Sequence, residues 1–545
     1  MRKFQQFFAL KFTSDRLKNA SYAIKITLDE ARQNGEVITI NDSELIRAYF
    51  RYKNIDFDQN SLNLLIKTQR IIRKSENNEN NRKKLEEISK KIEKMLFIED
   101  FVNIEFKHAS HYHQILKKHG FYINGTRFTP FIASAGMIRK NTAMFINNNI
   151  KHPLMDILEN DRDESVPMVP AKFGAYFSLY SSSTLEVSFP RIAVVSDKEL
   201  TTIRRVDFVT YEGKNKDDKV EEVDYPLVLN AWDGQGLISP SLAREWSDEL
   251  ELDYTFSSAI IRAPFMKGLV TVFDFHKFAK EVAKTNIFTD IYGNQQDVQK
   301  TDIIVSESMF KLWYGYKSMA DYVEKCNKNQ LGFSIAKVNP KEEKSHSRTS
   351  YQFLQVLDLD NTQVAKLCEP TVDWFRNLSG GDASKMLLYA TGDSGLTPAQ
   401  FQKMDSSIKA VLINPALADD RHIQKKFMKT LNRRKKDSYM GSILINANYQ
   451  FMLSDPYAQA CHIFSMPITP ILQDGEHYSE YWLNKNITKV GAVRSPIVHH
   501  SEFNILNFKR DSETEEWYQH IHSGIIFPAN GIGIDCVIHG GADLP

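Results

Sequence analysis

The sequence predicts an α+β protein in which helical and strand-rich regions alternate along the chain. Apolar residues recur at helical spacing among charged residues in 1–125 and again in a connector, 341–440. Short runs rich in β-branched and aromatic residues, separated by Gly, Pro and Asp turns, fill 126–340 and return in 441–545. The irregular spacing of these runs favours barrel- or sandwich-like β units over βαβ repeats.

Composition narrows the class of protein. A chain of 545 residues is too long for one compact domain, and its 42% hydrophobic content supplies large cores, which excludes a disordered protein. The net charge of +1 gives no overall attraction to nucleic acid or membrane, so a polyanion site must come from local clusters. The four cysteines lie far apart without a CxxC pair, which fits a reducing cytoplasm. No apolar window is long enough to predict a transmembrane span.

The first region contains a predicted helical hairpin. In "RKKLEEISKKIEKMLF" the apolar residues Leu85, Ile88, Ile92 and Met95 repeat at helical spacing between charges. The polar segment "SENNENN", 75–81, separates this helix from a preceding one. We interpret the basic face of the hairpin as a solvated surface rather than a nucleic-acid contact.

In the second region, a glycine turn and apolar runs with embedded cations stand out. The turn Asp233–Gly236 leads into a strand, and Ser239, followed by proline, is the predicted cap of a helix. Further on, "IIRAPFMKGLVTVFDF" carries Arg262 and Lys267, and "TDIIVSESMFKLW" carries Lys311 in a similar setting. Cations in an apolar run need a partner or a polyanion, so these three are candidate site residues.

The connector ends in a strongly basic predicted helix. Its stretch "KKFMKTLNRRKK", 425–436, holds seven Lys or Arg residues and no acidic residue. Two interpretations stay open, a solvated basic face and the lining of a nucleic-acid channel. The candidate nucleic-acid contacts in this helix are Lys425, Lys426, Lys429, Arg433 and Arg434.

The last region combines a rigid arginine with a carboxylate on a glycine turn. "VGAVRSPIVHHSEFNILNF" contains an Arg-x-Pro-x-x-His element formed by Arg494 and His499, and a guanidinium offers planar, multi-donor recognition of oxygens. Further on, Asp543 follows Gly-Gly-Ala, where a carboxylate can approach a metal ion closely. Phosphoryl transfer needs little covalent chemistry from the protein. It depends on cationic side chains, a metal ion held by carboxylates and correct positioning of the substrate.

Taken in order, these segments resemble the single-chain, two-barrel RNA polymerases of bacteriophages and prophages. Those enzymes are relatives of the eukaryotic RNA-dependent RNA polymerases of RNA silencing, and more distantly of the large subunits of cellular RNA polymerase. The resemblance implies two double-psi β-barrels joined by the helical connector, with lysines on the first barrel and an Asp-x-Asp-Gly-Asp loop on the second. It covers about 105–545 and rests on "GFYINGTRFTPFIASAGMIRKNTAMFI", "VPAKFGAYFSLYSSS", "DGQGLISPSLA", "IRAPFMKGLV", "SESMFKLW", "NYQFMLSDPYAQA", "AVRSPIVHHSEFN" and "GGAD".

The resemblance assigns roles to single residues. Lys267 and Lys311 match the two catalytic lysines of the first barrel. Arg494 and His499 match an element whose arginine lies toward the ribose hydroxyls of the incoming nucleotide. Apart from the resemblance, Arg262 is a third expected substrate-binding residue, because it is a cation in the same apolar run as the first lysine.

The remaining expected roles concern nucleic acid and metal. Arg139 joins the basic helix as an expected nucleic-acid contact. Asp543 matches the first aspartate of the catalytic loop, where it would bind Mg²⁺. Leu544 fits the spacer, and Pro545 stands where the family has its second aspartate. The sequence is therefore expected to end inside that loop, as a fragment or split gene product in preference to a degenerate member. We correspondingly expect the second barrel to be incomplete and the chain to be inactive by itself. We also expect a separate C-terminal segment as a partner that completes the barrel.

The predicted function is template-directed RNA synthesis from nucleoside triphosphates, a nucleotidyltransferase reaction with a nucleic-acid template and an RNA product as partners. The phage-like motifs favour a DNA template, and an RNA template is the alternative. Another class of function is a nucleic-acid-binding module, or degenerate polymerase, without catalysis. A third is a structural protein whose lysines lie at core edges. The expected location is the cytoplasm of a bacterial host or the virion, with no membrane partner.

Overall fold

The computed structural model describes residues 5–55, 59–74, 78–211, 218–391, 404–529 and 535–539. Its strands, numbered in chain order, are β1 (Gln6–Thr13), β2 (Ala23–Ile24), β3 (Val37–Asn41), β4 (Phe97–Glu105), β5 (Phe121–Ile123), β6 (Thr126–Ile132), β7 (Thr142–Asn147), β8 (Leu185–Val187), β9 (Ile192–Val195), β10 (Glu199–Thr210), β11 (Lys219–Asn230), β12 (Gln235–Ile238), β13 (Ser258–Ala263), β14 (Met266–Val272), β15 (Ile287–Thr289), β16 (Gln295–Asp297), β17 (Ile303–Ser306), β18 (Phe333–Val338), β19 (Ser347–Arg348), β20 (Leu444–Ile445), β21 (Met452–Ser454), β22 (Glu476–His477), β23 (Lys489–Ala492), β24 (Asn504–Phe508) and β25 (Ile525–Phe527). Its α-helices are Ser14–Asn19, Leu28–Gln33, Glu44–Tyr52, Gln59–Lys74, Glu79–Leu96, Ala109–Lys117, Ala135–Arg139, Asn148–Leu158, Pro170–Phe177, Pro240–Glu249, Phe275–Phe278, Met319–Lys328, Tyr351–Gln355, Asn361–Leu378, Ala383–Thr391, Ser406–Ile413, Arg421–Tyr439, Pro456–Ile463, Glu480–Leu483, Ser512–Trp517 and Asp535–Ile538.

The first sheet is seven-stranded, with the order β2-β5-β6-β7-β4-β1-β3. Its strands β1 and β4 run parallel to each other, and β4 pairs antiparallel with β7. One face is covered by an apolar cluster that includes Phe101 and Ile146, and the other by a cluster that includes Ile104 and Phe145. The central strands are therefore buried on both sides.

Within 1–125, the predicted helices are accompanied by strands β1–β5 of this sheet, which the sequence analysis did not predict. A strand buried on both faces is apolar at consecutive positions, so β1, with the sequence "QFFALKFT", lacks the alternation that marks a strand. The proposed boundary before residue 126 falls inside a hairpin, because β5 and β6 pair across it. The helical hairpin is confirmed: its two helices pack together, and Gln69 Nε2 donates to Ser89 Oγ at 2.9 Å.

The second sheet has the order β8-β18-β13-β14-β12-β17-β9. It mixes the parallel pairs β12–β14 and β17–β9 with antiparallel pairs such as β13–β14. The helices Pro240–Glu249 and Met319–Lys328 pack into its core, where Trp246 and Tyr322 are fully buried. Predicted strands are present here as β9, β10, β13 and β14, but the run 175–189, also predicted as β, is helical as far as Ser181 and contains only the short strand β8.

The connector and the last region follow the predicted order of helices and then strands. The connector helices enclose their own core, which includes Leu378 and Phe427. Beyond it, β21 pairs parallel with β25, and β22, β24 and β23 form a three-stranded sheet. Leu453, Tyr518 and Ile526 belong to the cluster that packs these strands together. Across the described ranges, the helices are all too short or too polar to span a membrane.

Candidate functional site

Three motifs that lie far apart in the sequence meet beside Lys267. The carbonyl of Gly234, in the glycine turn, accepts from the backbone N–H of Leu269 at 2.9 Å, and the Gly234 N–H donates to Ser308 Oγ at 2.8 Å. Gly234 has a φ of +73°, and a Cβ on Gly268 would come within 2.5 Å of its carbonyl oxygen. Both positions therefore require glycine, because the two backbones touch. This contact fixes the strand that carries Lys267.

Arg262 and Lys267 are directly opposite each other on the antiparallel pair β13–β14. Both side chains are half-buried. Arg262 Nη1 donates to the carbonyl of Ile261 at 2.7 Å, while its buried Nε has no hydrogen-bond partner among the described residues. Burial lowers the pKa of the Arg262 guanidinium. Since like charges at opposed positions repel, this end of the hairpin is suited to binding an anion.

The side of the β13–β14 hairpin that carries these cations packs against the last region of the chain. Val270 points into the core of the second sheet, so Lys267 and Leu269 lie on the other side of β14. Leu269 and, on β13, Ile260 pack into the apolar cluster formed by the strands β21–β25. Arg262 shares that side with Ile260 by the same alternation. The cations therefore lie next to the apolar contact between the two β units.

Lys311 lies on a segment that runs beside the start of β14. Its backbone N–H donates to the carbonyl of Phe265 at 3.0 Å, and the N–H of Lys267 donates to the carbonyl of Met309 at 3.0 Å. Phe265 and Leu312 both pack into an apolar cluster of the first sheet. The structure therefore brings the segments of the two predicted lysines together and anchors them on the same core.

A buried glutamine joins the glycine turn to the last region. Gln235 has no exposed surface; its Oε1 accepts from the backbone N–H of Ser454 at 2.8 Å, and its Nε2 donates to the Ser454 carbonyl at 2.9 Å. Gln459 Nε2 donates in turn to the Gln235 carbonyl at 3.0 Å. These bonds link parts of the chain that are 219 residues apart, and they set the position of one β unit against the other.

The next residue, Asp455, caps the helix Pro456–Ile463 from a fully buried position. Its Oδ1 accepts from the backbone N–H of Tyr457 at 2.9 Å and from the hydroxyl of Tyr518 at 2.9 Å. Burial raises the pKa of Asp455 to about 6 against the opposing effect of these hydrogen bonds. The carboxyl thus anchors the helix that packs beside the glycine turn.

Arg494 lies on the exposed loop between β23 and β24. Its Nη1 donates to the carbonyl of His539 at 3.2 Å, and the peptide bond between Ser495 and Pro496 is cis. In sequence, His539 precedes the predicted metal ligand Asp543 by four residues. The arginine is therefore tied to the segment that leads to the predicted catalytic loop.

His499, the second residue of the Arg-x-Pro-x-x-His element, is exposed and makes local contacts. Its Nδ1 lies 2.7 Å from Ser501 Oγ, and its ring centroid is 4.0 Å from that of His500. In the described part of the structure, no hydrogen bond or ion pair connects it to Arg494. The structure therefore does not assemble these two residues into one contact.

Sequence reasoning missed a buried polar cluster beside this loop. His477 Nε2 lies 3.5 Å from Asp535 Oδ1, and Asn504 Nδ2 donates to the same oxygen at 2.6 Å. Burial alone would raise the pKa of Asp535, but His477 and Asn504 outweigh it, and the pKa lies below its usual value. Burial also lowers the pKa of His539. No sequence signal could have found this cluster, because its members lie on separate strands and a helix.

Asp543, the predicted catalytic and metal-binding residue, lies outside the described residues. Within the ranges that the structure describes, no group of three or more His, Cys, Asp or Glu side chains could hold a metal ion. Mg²⁺ binding stays a prediction that depends on Asp543.

The predicted basic helix is present as Arg421–Tyr439. Its Ile423, Phe427 and Leu431 are buried in the core of the connector, so the charged residues lie on the other sides of the helix. The candidate contacts that it exposes are Lys425, Lys426, Lys429, Arg433 and Arg434.

Two of these candidate contacts have partners nearby. Lys426 Nζ donates to both carboxylate oxygens of Asp405, at 2.9 and 2.8 Å. Arg434 lines an open cavity together with Arg348 and Trp374. The Arg348 guanidinium carbon lies 4.7 Å from the centroid of the Trp374 ring, and burial, followed by the charge of Arg434, lowers the Arg348 pKa. Arginines beside an aromatic ring suit the phosphates and bases of single-stranded nucleic acid.

Arg139 lies at the end of the short helix Ala135–Arg139 on the first sheet. It is exposed at the rim of a cavity of about 570 Å³ whose lining includes neither Lys267 nor Lys311. The cavity that Arg139 lines is therefore not formed by either predicted lysine.

Comparison with known proteins identifies the family. Residues 53–537 match the family model described as RNA dependent RNA polymerase. The chain belongs to this family. It is 27% identical over 439 residues to the DNA-directed RNA polymerase YonO of Bacillus phage SPbeta, an alignment that covers 77% of this chain and 48% of that polymerase. The resemblance inferred from the sequence motifs is thereby confirmed.

The fold agrees with the same family. The structure is similar to the RNA dependent RNA polymerase QDE-1 from Thielavia terrestris, with a TM-score of 0.52 and 15% sequence identity over 82% of this chain and 48% of that one. The chain thus spans about half the length of the proteins it matches.

Proposed function

We propose that this chain carries the substrate-binding face of a template-directed RNA polymerase that transfers nucleotides from nucleoside triphosphates to an RNA end. Family membership supplies the class of reaction. The observation that carries the proposal is the pair of opposed cations, Arg262 and Lys267, on the side of β13–β14 that meets the second β unit.

In the proposed mechanism, Lys267 contacts the triphosphate of the incoming nucleotide or the phosphate at the RNA end. Negative charge in phosphoryl transfer is spread over the oxygens of the transferred group and the leaving group, and a fixed ammonium stabilises it. Lys311 adds a second cation from the adjacent segment, and Arg262 a third from the opposite strand. The glycine contact between Gly234 and Gly268 holds β14 rigid, which keeps Lys267 in position before the substrate arrives.

Arg494 is proposed to bind the ribose of the incoming nucleotide. Its bond to the carbonyl of His539 uses one nitrogen of the guanidinium and leaves other N–H groups for hydroxyl oxygens. His499 is proposed to lie at the edge of the same substrate surface. Asp543 is proposed to bind Mg²⁺, which neutralises phosphate charge in this class of reaction.

The two β units are proposed to be double-psi β-barrels. Support comes from the fold similarity and from the combination of parallel and antiparallel pairs in each unit, such as β12–β14 and β13–β14 in the first and β22–β24 and β23–β24 in the second. The buried bonds of Gln235 then hold the two barrels together.

The proposed template is DNA, read as a single strand along the basic helix and the Arg348–Trp374 stack. The similarity to a phage DNA-directed RNA polymerase supports this choice. An RNA template is the second candidate, which the family model and the QDE-1 fold favour.

The test is incorporation of labelled nucleoside triphosphates on matched single-stranded DNA and RNA templates. The assay uses the polypeptide that contains this chain, and template binding is measured in parallel. We expect RNA synthesis on the DNA template. Synthesis on the RNA template alone would select the second candidate. Binding of both templates without synthesis would refute the proposal and favour a non-catalytic nucleic-acid-binding module.

A further inference from the structure

The cavity at Arg139 has the features of a ligand site of its own. Its volume of about 570 Å³ lies within the range of pockets that hold small ligands. It opens on the first sheet, between β3, the ends of β4 and β7, and the helix Ala135–Arg139. Its apolar lining is formed by Ile38, Ile40, Leu45, Ile46, Met137 and Met144.

Two buried polar side chains, Ser43 and Asn103, line the interior among the apolar ones, and Ser43 Oγ already accepts from the backbone N–H of Ile46. Asn103, on the central strand β4, is only 7% exposed. Its Nδ2 is buried and has no hydrogen-bond partner within the described parts of the chain. A buried amide donor without a partner destabilises the folded state, and buried polar groups in native proteins nearly always have a hydrogen-bond partner. A ligand with a hydrogen-bond acceptor would meet that need.

The rim of the cavity is cationic. Arg139 and Lys140 are both exposed there, and across the described residues neither takes part in an ion pair. A ligand that matches the apolar lining, the Asn103 amide and the cationic rim therefore has a flat or apolar body, a hydrogen-bond acceptor on that body and an anionic group.

We propose that this cavity binds a nucleotide. The nucleobase enters between the apolar side chains, a ring nitrogen or carbonyl oxygen of the base accepts from Asn103 Nδ2, and the phosphate lies between Arg139 and Lys140. A fatty acid would leave the Asn103 amide unmatched, and a neutral heterocycle would leave the cations unmatched. The nucleotide is either free in solution or an unpaired nucleotide of a single strand; both present the same base and phosphate.

Photolabelling locates the site without relying on polymerase activity. The probe is 8-azido-AMP, applied to the full chain in the Lys267→Ala background, which weakens the proposed polymerase site. We expect label on peptides that contain Asn103, Met137 or Arg139. Protection by unlabelled AMP identifies a free nucleotide as sufficient, and protection by a single-stranded oligonucleotide alone identifies the strand as the source. Label confined to other peptides would overturn the proposal, whatever the outcome of the polymerase assays.

Two variants and a control test the contacts. Asn103→Leu removes the unpaired amide, so we expect roughly three- to tenfold weaker AMP or oligonucleotide binding with no loss of thermal stability. The double change Arg139→Ala with Lys140→Ala should reduce the salt dependence of oligonucleotide binding by roughly 0.7 in log–log slope for each phosphate that is no longer neutralised. Lys117→Ala, on a helix that packs on the opposite face of the sheet, is the matched control. Binding by Asn103→Leu equal to that of the control would refute the assignment.

Discussion

Replacing Gln235 with methionine tests whether this amide holds the two β units together. Methionine keeps roughly the length and volume of the side chain but leaves the N–H and carbonyl of Ser454 without partners, at a position with no exposed surface. Each unpaired buried backbone group costs about 1–3 kcal/mol, so the change should lower the free energy of unfolding by about 2–6 kcal/mol. The loss should be concentrated where the units meet.

The assay is hydrogen exchange at the backbone amide of Ser454, combined with thermal unfolding. Because the N–H of Ser454 is bonded to the replaced amide, we expect its exchange to be at least about tenfold faster in Gln235→Met. The control is Gln295→Ala, since the Gln295 amide donates to Thr289 Oγ1 at 3.0 Å on an exposed hairpin. That change should alter stability by less than about 0.5 kcal/mol. Unchanged exchange at Ser454, with the same unfolding temperature as the control, would refute the reasoning.

Three further outcomes are expected. Arg494→Lys should narrow the preference for ribonucleotides over deoxyribonucleotides, because an ammonium cannot replace the planar guanidinium. The preference is measured by competitive incorporation, and an unaltered preference would show that Arg494 does not bind the ribose. Replacing Lys425, Lys429 and Arg433 with glutamine should flatten the salt dependence of single-strand binding by roughly 0.7 in log–log slope for each phosphate released, and an unchanged slope would make the helix a solvated face. In Asp455 the folded pKa of about 6 exceeds the unfolded value, so its stabilising effect is complete below about pH 4 and is lost as pH rises through 6. The free energy of unfolding of Asp455→Asn, relative to that of the native chain, should therefore rise by about 3 kcal/mol between pH 4 and pH 7, measured by denaturant unfolding. A difference that does not change with pH would contradict the raised pKa.

The sequence predicted the parts of the site that depend on local pattern. Arg262 and Lys267 stand out because they interrupt apolar β runs, and the basic helix stands out because it has a continuous charged face. The glycine turn at Gly234 is also a local signal, because its positive φ favours glycine, whereas the requirement at Gly268 follows from its contact with the Gly234 carbonyl on another segment.

What the sequence did not predict depends on contacts between distant segments. In the sequence, Gln235 has the character of an ordinary turn residue, because its hydrogen-bond partner Ser454 lies 219 residues away. The strand β1 falls in a region predicted as helical because a strand covered on both faces shows no alternation. Asn103 gave no signal either, because its burial follows from its central place in a sheet that the sequence did not predict.

The most direct test of the account is single-nucleotide incorporation by the Lys267→Ala variant of the polypeptide that contains this chain. Lys300→Ala, at an exposed position of the same β unit, is the control. If Lys267 stabilises charge on the transferred phosphoryl group, incorporation should fall roughly 10²-fold or more while template affinity and thermal stability stay close to those of the control. Incorporation equal to that of Lys300→Ala, or an equal loss of incorporation and template binding, would contradict the central claim.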